Sequence, residues 1–96
     1  MAGRMGPRKP LSGNNVETVP NQSGVYNLIN RQGQIVYTGS AGARRLRARL
    51  TEHITNKDVP GASHFQVRPT SSTVEARKVE QELIKRNQPR YNVQGK

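Results

Sequence analysis

Gly24-Val25-Tyr26-Asn27-Leu28-Ile29-Asn30-Arg31-Gln32-Gly33-Gln34-Ile35-Val36-Tyr37-Thr38-Gly39 is the stretch whose reading decides the fold. Two runs rich in Val, Ile, Leu and Tyr flank a polar break that contains Gly. Branched and aromatic side chains suit a pleated surface, so the stretch reads as the two antiparallel strands of a hairpin. With Gln32-Gly33 as a two-residue loop, Arg31 faces Gln34, Leu28 lies opposite Tyr37 and Tyr26 opposite Gly39. Side chains alternate between faces along a strand, so Tyr26 and Tyr37 then share one face as diagonal neighbours and reach a common point. A slip of one residue would place them on opposite faces, and they would be ordinary strand aromatics.

Around this hairpin the composition leaves room for little else. The 96 residues are 31% hydrophobic, with one Phe and no Trp, which implies one domain with a small core. The lack of cysteine excludes a disulfide framework, a Cys-based zinc site and a thiol nucleophile; two histidines and six acidic residues are the remaining metal ligands. No apolar run approaches a membrane span and no signal-peptide pattern follows the basic N-terminal residues, so a cytoplasmic protein without membrane partners is expected. A formal net charge of +10 and a pI of about 11.2 exceed what solubility requires and point to a polyanion, nucleic acid first.

Residues 1–22 scatter Gly3, Gly6, Gly13, Pro7, Pro10 and Pro20 among polar positions with Arg4, Arg8 and Lys9, and read as a disordered basic arm ahead of a domain over residues 23–96. After the hairpin, Gly39-Ser40-Ala41-Gly42 turns the chain into a segment with Leu46, Leu50 and Ile54 at four-residue spacing, an amphipathic helix over about residues 43–56. Arg45, Arg49 and His53 form a row on one flank of that helix, and Arg44 and Arg47 add charge. Like charges at this spacing repel by a few tenths of a kcal/mol per pair, roughly, which a phosphate backbone would relieve. His64-Phe65-Gln66-Val67-Arg68 reads as a third strand, ended by Pro69.

Ser72 and Glu75 stand at capping-box spacing before a second helix over residues 73–87, whose apolar face is Ala76, Val79, Leu83 and Ile84. Glu80 points from the middle of that face. A carboxylate there needs a cationic partner, a metal ion or a raised pKa, because burying it unpaired costs several kcal/mol, roughly. The order β-β-α-β-α gives an α+β domain, a small three-stranded, mostly antiparallel sheet flanked by helices.

Two tyrosines on one sheet face, Arg49 and His53 on a helical flank and Glu80 on a helical face suit phosphodiester hydrolysis. A carboxylate can hold one Mg²⁺ that also takes phosphate oxygens. An arginine can fork onto non-bridging oxygens. A tyrosine can serve as general base once its pKa, about 10 in isolation, is lowered, to which cations or a proton-accepting His53 would contribute.

At these residues the chain resembles the GIY-YIG nuclease family. Gly24-Val25-Tyr26 matches the first motif and Tyr37-Thr38-Gly39 the second; Arg49-Leu50, His53, Glu80 with Leu83-Ile84-Lys85, and Pro89-Arg90-Tyr91-Asn92 follow in order. The closing segment is most similar to the N-terminal nuclease domain of the bacterial excision-repair incision subunit, and Tyr37-Thr38-Gly39-Ser40-Ala41 to the phage intron-homing branch. The resemblance implies a metal-dependent DNA endonuclease with one Mg²⁺ or Mn²⁺ per active site and no small-molecule cofactor, leaving 5′-phosphate and 3′-hydroxyl ends. Tyr26 would be the preferred general base, supported by Tyr37. Arg49 would stabilise the scissile phosphate, His53 assist the tyrosine, Glu80 be the single protein ligand of the metal, and Asn92 hydrogen-bond near the metal site. Many members carry lysine where this chain has Ser40; Ser40, Arg44, Arg45 and Arg47 are accordingly the candidate phosphate and DNA contacts. The DNA partner can be single-stranded, branched or duplex. A non-catalytic nucleic-acid-binding module of the same fold and a basic RNA-associated structural protein are the alternatives.

Overall fold

The computed structural model describes residues 5–89 and 91. In chain order the elements are β1 (Lys9–Pro10), α1 (Gly13–Val16), β2 (Gly24–Ile29), β3 (Ile35–Ala41), α2 (Leu46–Asn56), β4 (His64–Pro69) and α3 (Thr73–Asn87). The α+β class and the order from β2 onward agree with the sequence reading. The sheet, however, has four strands in the order β1-β4-β2-β3 rather than three, and every pairing is antiparallel.

β2 lies between β3 and β4, and all six of its residues are buried, as a central strand covered on both faces requires. The hairpin register puts Tyr26 opposite Gly39 and Leu28 opposite Tyr37, as the sequence predicts, although its loop is not the two-residue one expected. Asn30, not Arg31, pairs with Gln34, and the turn over residues 30–33 closes with the Gly33 N–H donating to the Asn30 carbonyl at 3.0 Å. Gly33 has φ 86°, a left-handed conformation that glycine adopts without a Cβ clash. A register shift between Leu28 and Ile29 then takes up one extra residue on β3 and restores the pairing beyond it.

Two apolar clusters fill the two sides of the sheet. One gathers Tyr26, Leu28, Val36 and Phe65 from the strands with Leu46 and Leu50 of α2 and Val16 and Val19. The other is smaller: Val25 with Ala76 and Val79 of α3, and Met5 and Leu83 at its margin. Because Val25 and Tyr26 are successive residues of one strand, α2 and α3 lie on opposite faces.

The arm expected to be disordered is structured over its described residues 5–22. β1 pairs with β4, the Gly6 N–H donates to the Val67 carbonyl at 2.8 Å, and Val16 and Val19 are 1% and 3% exposed. Burial of those two valines offsets the ordering entropy that the polar, Gly- and Pro-rich composition leaves uncompensated elsewhere. α2 begins at Leu46 rather than near residue 43, since Arg44 has φ 61° and Arg45 occupies the cap position. α3 spans its predicted residues. Its Ser72 side chain accepts from the Glu75 N–H at 3.1 Å, whereas the Glu75 carboxylate turns to the Ser71 N–H and hydroxyl instead of closing the box on Ser72. Among the described residues no helix is long and apolar enough to cross a membrane.

Candidate active site

The hairpin register brings Tyr26 and Tyr37 onto one face, with ring centroids 6.2 Å apart. Tyr26 is 0% exposed and lies across Gly39 of β3, where any Cβ would collide with its hydroxyl and ring carbons. The glycine after Tyr37-Thr38 is therefore a floor for the other tyrosine. His53, one turn beyond Arg49 on α2, faces inward rather than along an outer row with Arg45 and Arg49. Its Nε2 lies 2.7 Å from the Tyr26 hydroxyl, and its ring is 5.2 Å from that of Tyr37. On its far side, Nδ1 lies 2.7 Å from Asp58 Oδ1. Tyr26, His53 and Asp58 thus form one hydrogen-bonded line from the core to the surface.

The electrostatics of Tyr26 overturn one expectation. Burial in the apolar cluster pushes its phenol well above the ordinary tyrosine value, and Tyr37 adds to this. The Arg49 guanidinium pulls the other way by charge and hydrogen bond, and Glu80 raises it again. A lowered pKa, the condition for a standing phenolate, is therefore not met; desolvation outweighs the cation. In return, attraction to the Tyr26 oxygen is the largest influence holding Arg49 above its ordinary value.

The arginines divide by what they touch. Glu52 accepts from Arg49 and Arg45, each at 3.0 Å, so it relieves the repulsion expected along that flank. Arg49 remains partly exposed beside Tyr26, and Arg45 is more exposed still. Arg44 is exposed in the turn before α2. Arg47 is turned to structure: its Nε donates to the Val19 carbonyl at 3.0 Å, tying α2 to the N-terminal segment.

Glu80 reaches the site from the opposite face of the sheet. It is partly rather than fully buried, and Ser40 Oγ donates to its Oε1 at 2.7 Å. Among the described residues Glu80 makes no ion pair, so the arginine partner that its burial suggested is not what holds it. One carboxylate oxygen taken by a hydroxyl and the other carrying no ion pair fits a hard cation such as Mg²⁺, which binds through one or two carboxylates and fills its remaining positions with water and phosphate. No cluster of three or more His, Asp or Glu able to cage a metal occurs among the described residues. Among the described residues Glu80 is the predicted site carboxylate that could take such an ion.

Of the candidate residues, Tyr26, Tyr37 and His53 lie in contact, Arg49 and Glu80 act on Tyr26 by charge, and Ser40 is bonded to Glu80. Asn92 lies outside the described residues. Sequence reasoning missed Asp58 and Glu52. Glu52 has a signal, since it sits three residues after Arg49 on the same helix. Asp58 sits on the loop after α2 and has none that periodicity can detect.

Compared with known proteins, residues 22–93 match the model of the UvrC-like GIY-YIG domain. The chain is 36% identical over 85 residues to the UvrABC system protein C of Pelodictyon phaeoclathratiforme, an alignment covering 79% of this chain and 13% of that protein. To the proteins of the same name from Chlorobium phaeobacteroides and Rickettsia bellii it is 37% and 34% identical, over 81% and 78% of this chain and 14% and 13% of those proteins. The chain thus spans about an eighth of the length of the curated relatives it matches.

Proposed function

The chain belongs to the UvrC-like GIY-YIG domain family, and from that premise we propose that it is a metal-dependent DNA endonuclease that hydrolyses phosphodiester bonds. The observation that carries the reading is the convergence on Tyr26 of four groups: the His53 imidazole by a hydrogen bond, Tyr37 by its ring, and Arg49 and Glu80 by charge. Binding alone needs no such set around a buried phenol.

Glu80 would hold the Mg²⁺ or Mn²⁺, oriented by Ser40, and the ion would supply charge neutralisation at the leaving oxygen. The partly exposed Arg49 grips the non-bridging phosphate oxygens as negative charge builds on them. The raised pKa of Tyr26 makes direct removal of a water proton by a pre-formed phenolate unfavourable. Instead the Tyr26 oxygen takes the proton from the attacking water as its own proton passes to His53 Nε2, so the phenol stays neutral at the start and end of the step. Tyr37 walls the site against His53 and Tyr26. By family resemblance Asn92 would fix the geometry near the metal, and the products carry 5′-phosphate and 3′-hydroxyl ends. Arg44 and Arg45, on the exposed approach to Arg49, are the contacts for the flanking DNA backbone.

The test is cleavage of labelled single-stranded, branched and duplex DNA with Mg²⁺ or Mn²⁺, for the native protein, for Glu80→Ala and with chelator. Cutting by the native protein that both controls abolish, with DNA binding retained in Glu80→Ala, is the expected result. Tight, salt-sensitive binding with no cutting of any substrate would replace this reading by a non-catalytic binding module.

A further inference from the structure

We propose that Asp58 is a positioning residue that fixes the tautomer of His53, so that Nε2 presents a lone pair to the Tyr26 hydroxyl; the inference rests on the endonuclease reading above for its consequence in the reaction. The argument is one of donors and acceptors. An ionised carboxylate only accepts, so the 2.7 Å contact between Asp58 Oδ1 and His53 Nδ1 requires the proton on Nδ1. A neutral imidazole carries one N–H, so Nε2 is then an acceptor, and the 2.7 Å contact on that side has Tyr26 as donor. With its hydrogen committed to His53, the Tyr26 oxygen keeps its lone pairs for a proton arriving from elsewhere.

The backbone builds this contact. Lys57 ends α2 in the left-handed conformation, φ 51°, with its N–H donating to the His53 carbonyl at 3.0 Å. This reversal brings Asp58 back beside the ring one turn earlier. His53 itself is 7% exposed, so the ring is held by packing while the Asp58 carboxylate stays half exposed. When the proton leaves Tyr26 for Nε2, the ring becomes an imidazolium with both N–H groups donating, and its new charge lies against the carboxylate. The atoms balance: water loses one proton to the Tyr26 oxygen, Tyr26 loses one to Nε2, and Asp58 exchanges none.

Long-range ¹H–¹⁵N NMR of the labelled full chain, without DNA or metal, reads the tautomer directly, with His64→Gln identifying which ring is which. The native His53 is expected to carry its proton on Nδ1, Asp58→Asn to keep that pattern, since an amide oxygen still accepts, and Asp58→Ala to lose it. Single-turnover cleavage should fall about 10- to 100-fold in Asp58→Ala with DNA affinity unchanged, and by an intermediate factor in Asp58→Asn, which keeps the acceptor but not the charge. A native His53 protonated on Nε2, or an unchanged pattern in Asp58→Ala, overturns the positioning role. A lost pattern with native cleavage rates overturns its link to the reaction. Should the native protein cut nothing, the endonuclease reading fails, and the tautomer result still decides for or against Asp58 as the group that sets His53.

Discussion

The two faces of the sheet are built to different rules. Under α2, Tyr26, Leu28 and Phe65 pack with Leu46, Leu50, Val16 and Val19, each 3% exposed or less, and the polar groups among them are few and paired. Under α3 the apolar cluster is small, and polar side chains are buried beside it. Asn27, 1% exposed, donates to Gln66 at 2.9 Å and accepts from Thr38 at 2.6 Å, and Ser40 holds Glu80. Tyr26 and His53 are thus fixed by close packing, which sets geometry to fractions of an ångström. The carboxylate is held by one hydroxyl, which leaves it able to take a cation. One site draws on both kinds of support, and substitutions on the two faces should fail in different ways.

The largest difference is expected at adjacent residues of β3. Gly39→Ala drives a methyl group into the Tyr26 ring and hydroxyl; it should cost about 1–3 kcal/mol in urea denaturation and lower cleavage by about 100-fold or more. Ser40→Ala, one residue on and facing the other way, should cost about 1 kcal/mol in stability and weaken Mn²⁺ affinity about 10-fold in calorimetric titration. Equal stability losses at the two positions would remove the distinction between a packed and a polar face.

Core truncation tests the same contrast without touching the site. Leu50→Ala, at 0% exposure among the α2-side residues, should lose about 2–5 kcal/mol, and Val79→Ala, at 8% on the α3 side, about 1–2 kcal/mol. The ratio, read from urea midpoints at constant slope, is the informative quantity; a larger loss at Val79 would place the main core on the wrong side.

The N-terminal segment sharpens the point, because it belongs to the packed face and was not readable as such. The Val16→Ala, Val19→Ala double variant should lose about 2–4 kcal/mol, whereas substitutions in a solvated arm would fall within about 0.5 kcal/mol. The hairpin, both long helices and β4 were legible because each repeats its signal: alternation in the strands, Leu46 and Leu50 at helical spacing, Ala76 and Val79 on one face. Val16 and Val19 are two isolated apolar residues among Gly, Pro and Asn, and no periodicity distinguishes them from a tail. The register of Tyr26 and Tyr37 was legible although the loop was not, because the extra residue on β3 compensates the one-residue difference in the turn. At the candidate site, Tyr26, Tyr37, Arg49, His53 and Glu80 stood out by residue type and spacing. The supports that hold them, Asp58 behind His53 and Glu52 between two arginines, depend on a loop reversal and on rotamers that spacing alone does not specify.

The smallest effect concerns the entry to α3, which sets where Glu80 sits. Glu75 accepts from the Ser71 backbone N–H at 3.0 Å and the Ser71 hydroxyl at 2.9 Å, and these bonds hold its carboxyl below the ordinary range, with Arg68 adding a weaker attraction. A folded-state pKa below the unfolded value means that the unfolded chain binds the proton first as pH falls. The stabilisation is therefore complete above the ordinary carboxylate range, declines as pH falls through it, and is gone below the lowered folded value. Glu75→Gln should melt slightly below the native protein at about pH 7, and the gap should close once pH falls below the lowered folded value. Because Glu75 is exposed, added salt should weaken the contribution of Arg68 and leave most of the gap, which comes from the two hydrogen bonds. A gap that salt erases would make the charge pair, not the Ser71 contacts, the anchor of the helix start.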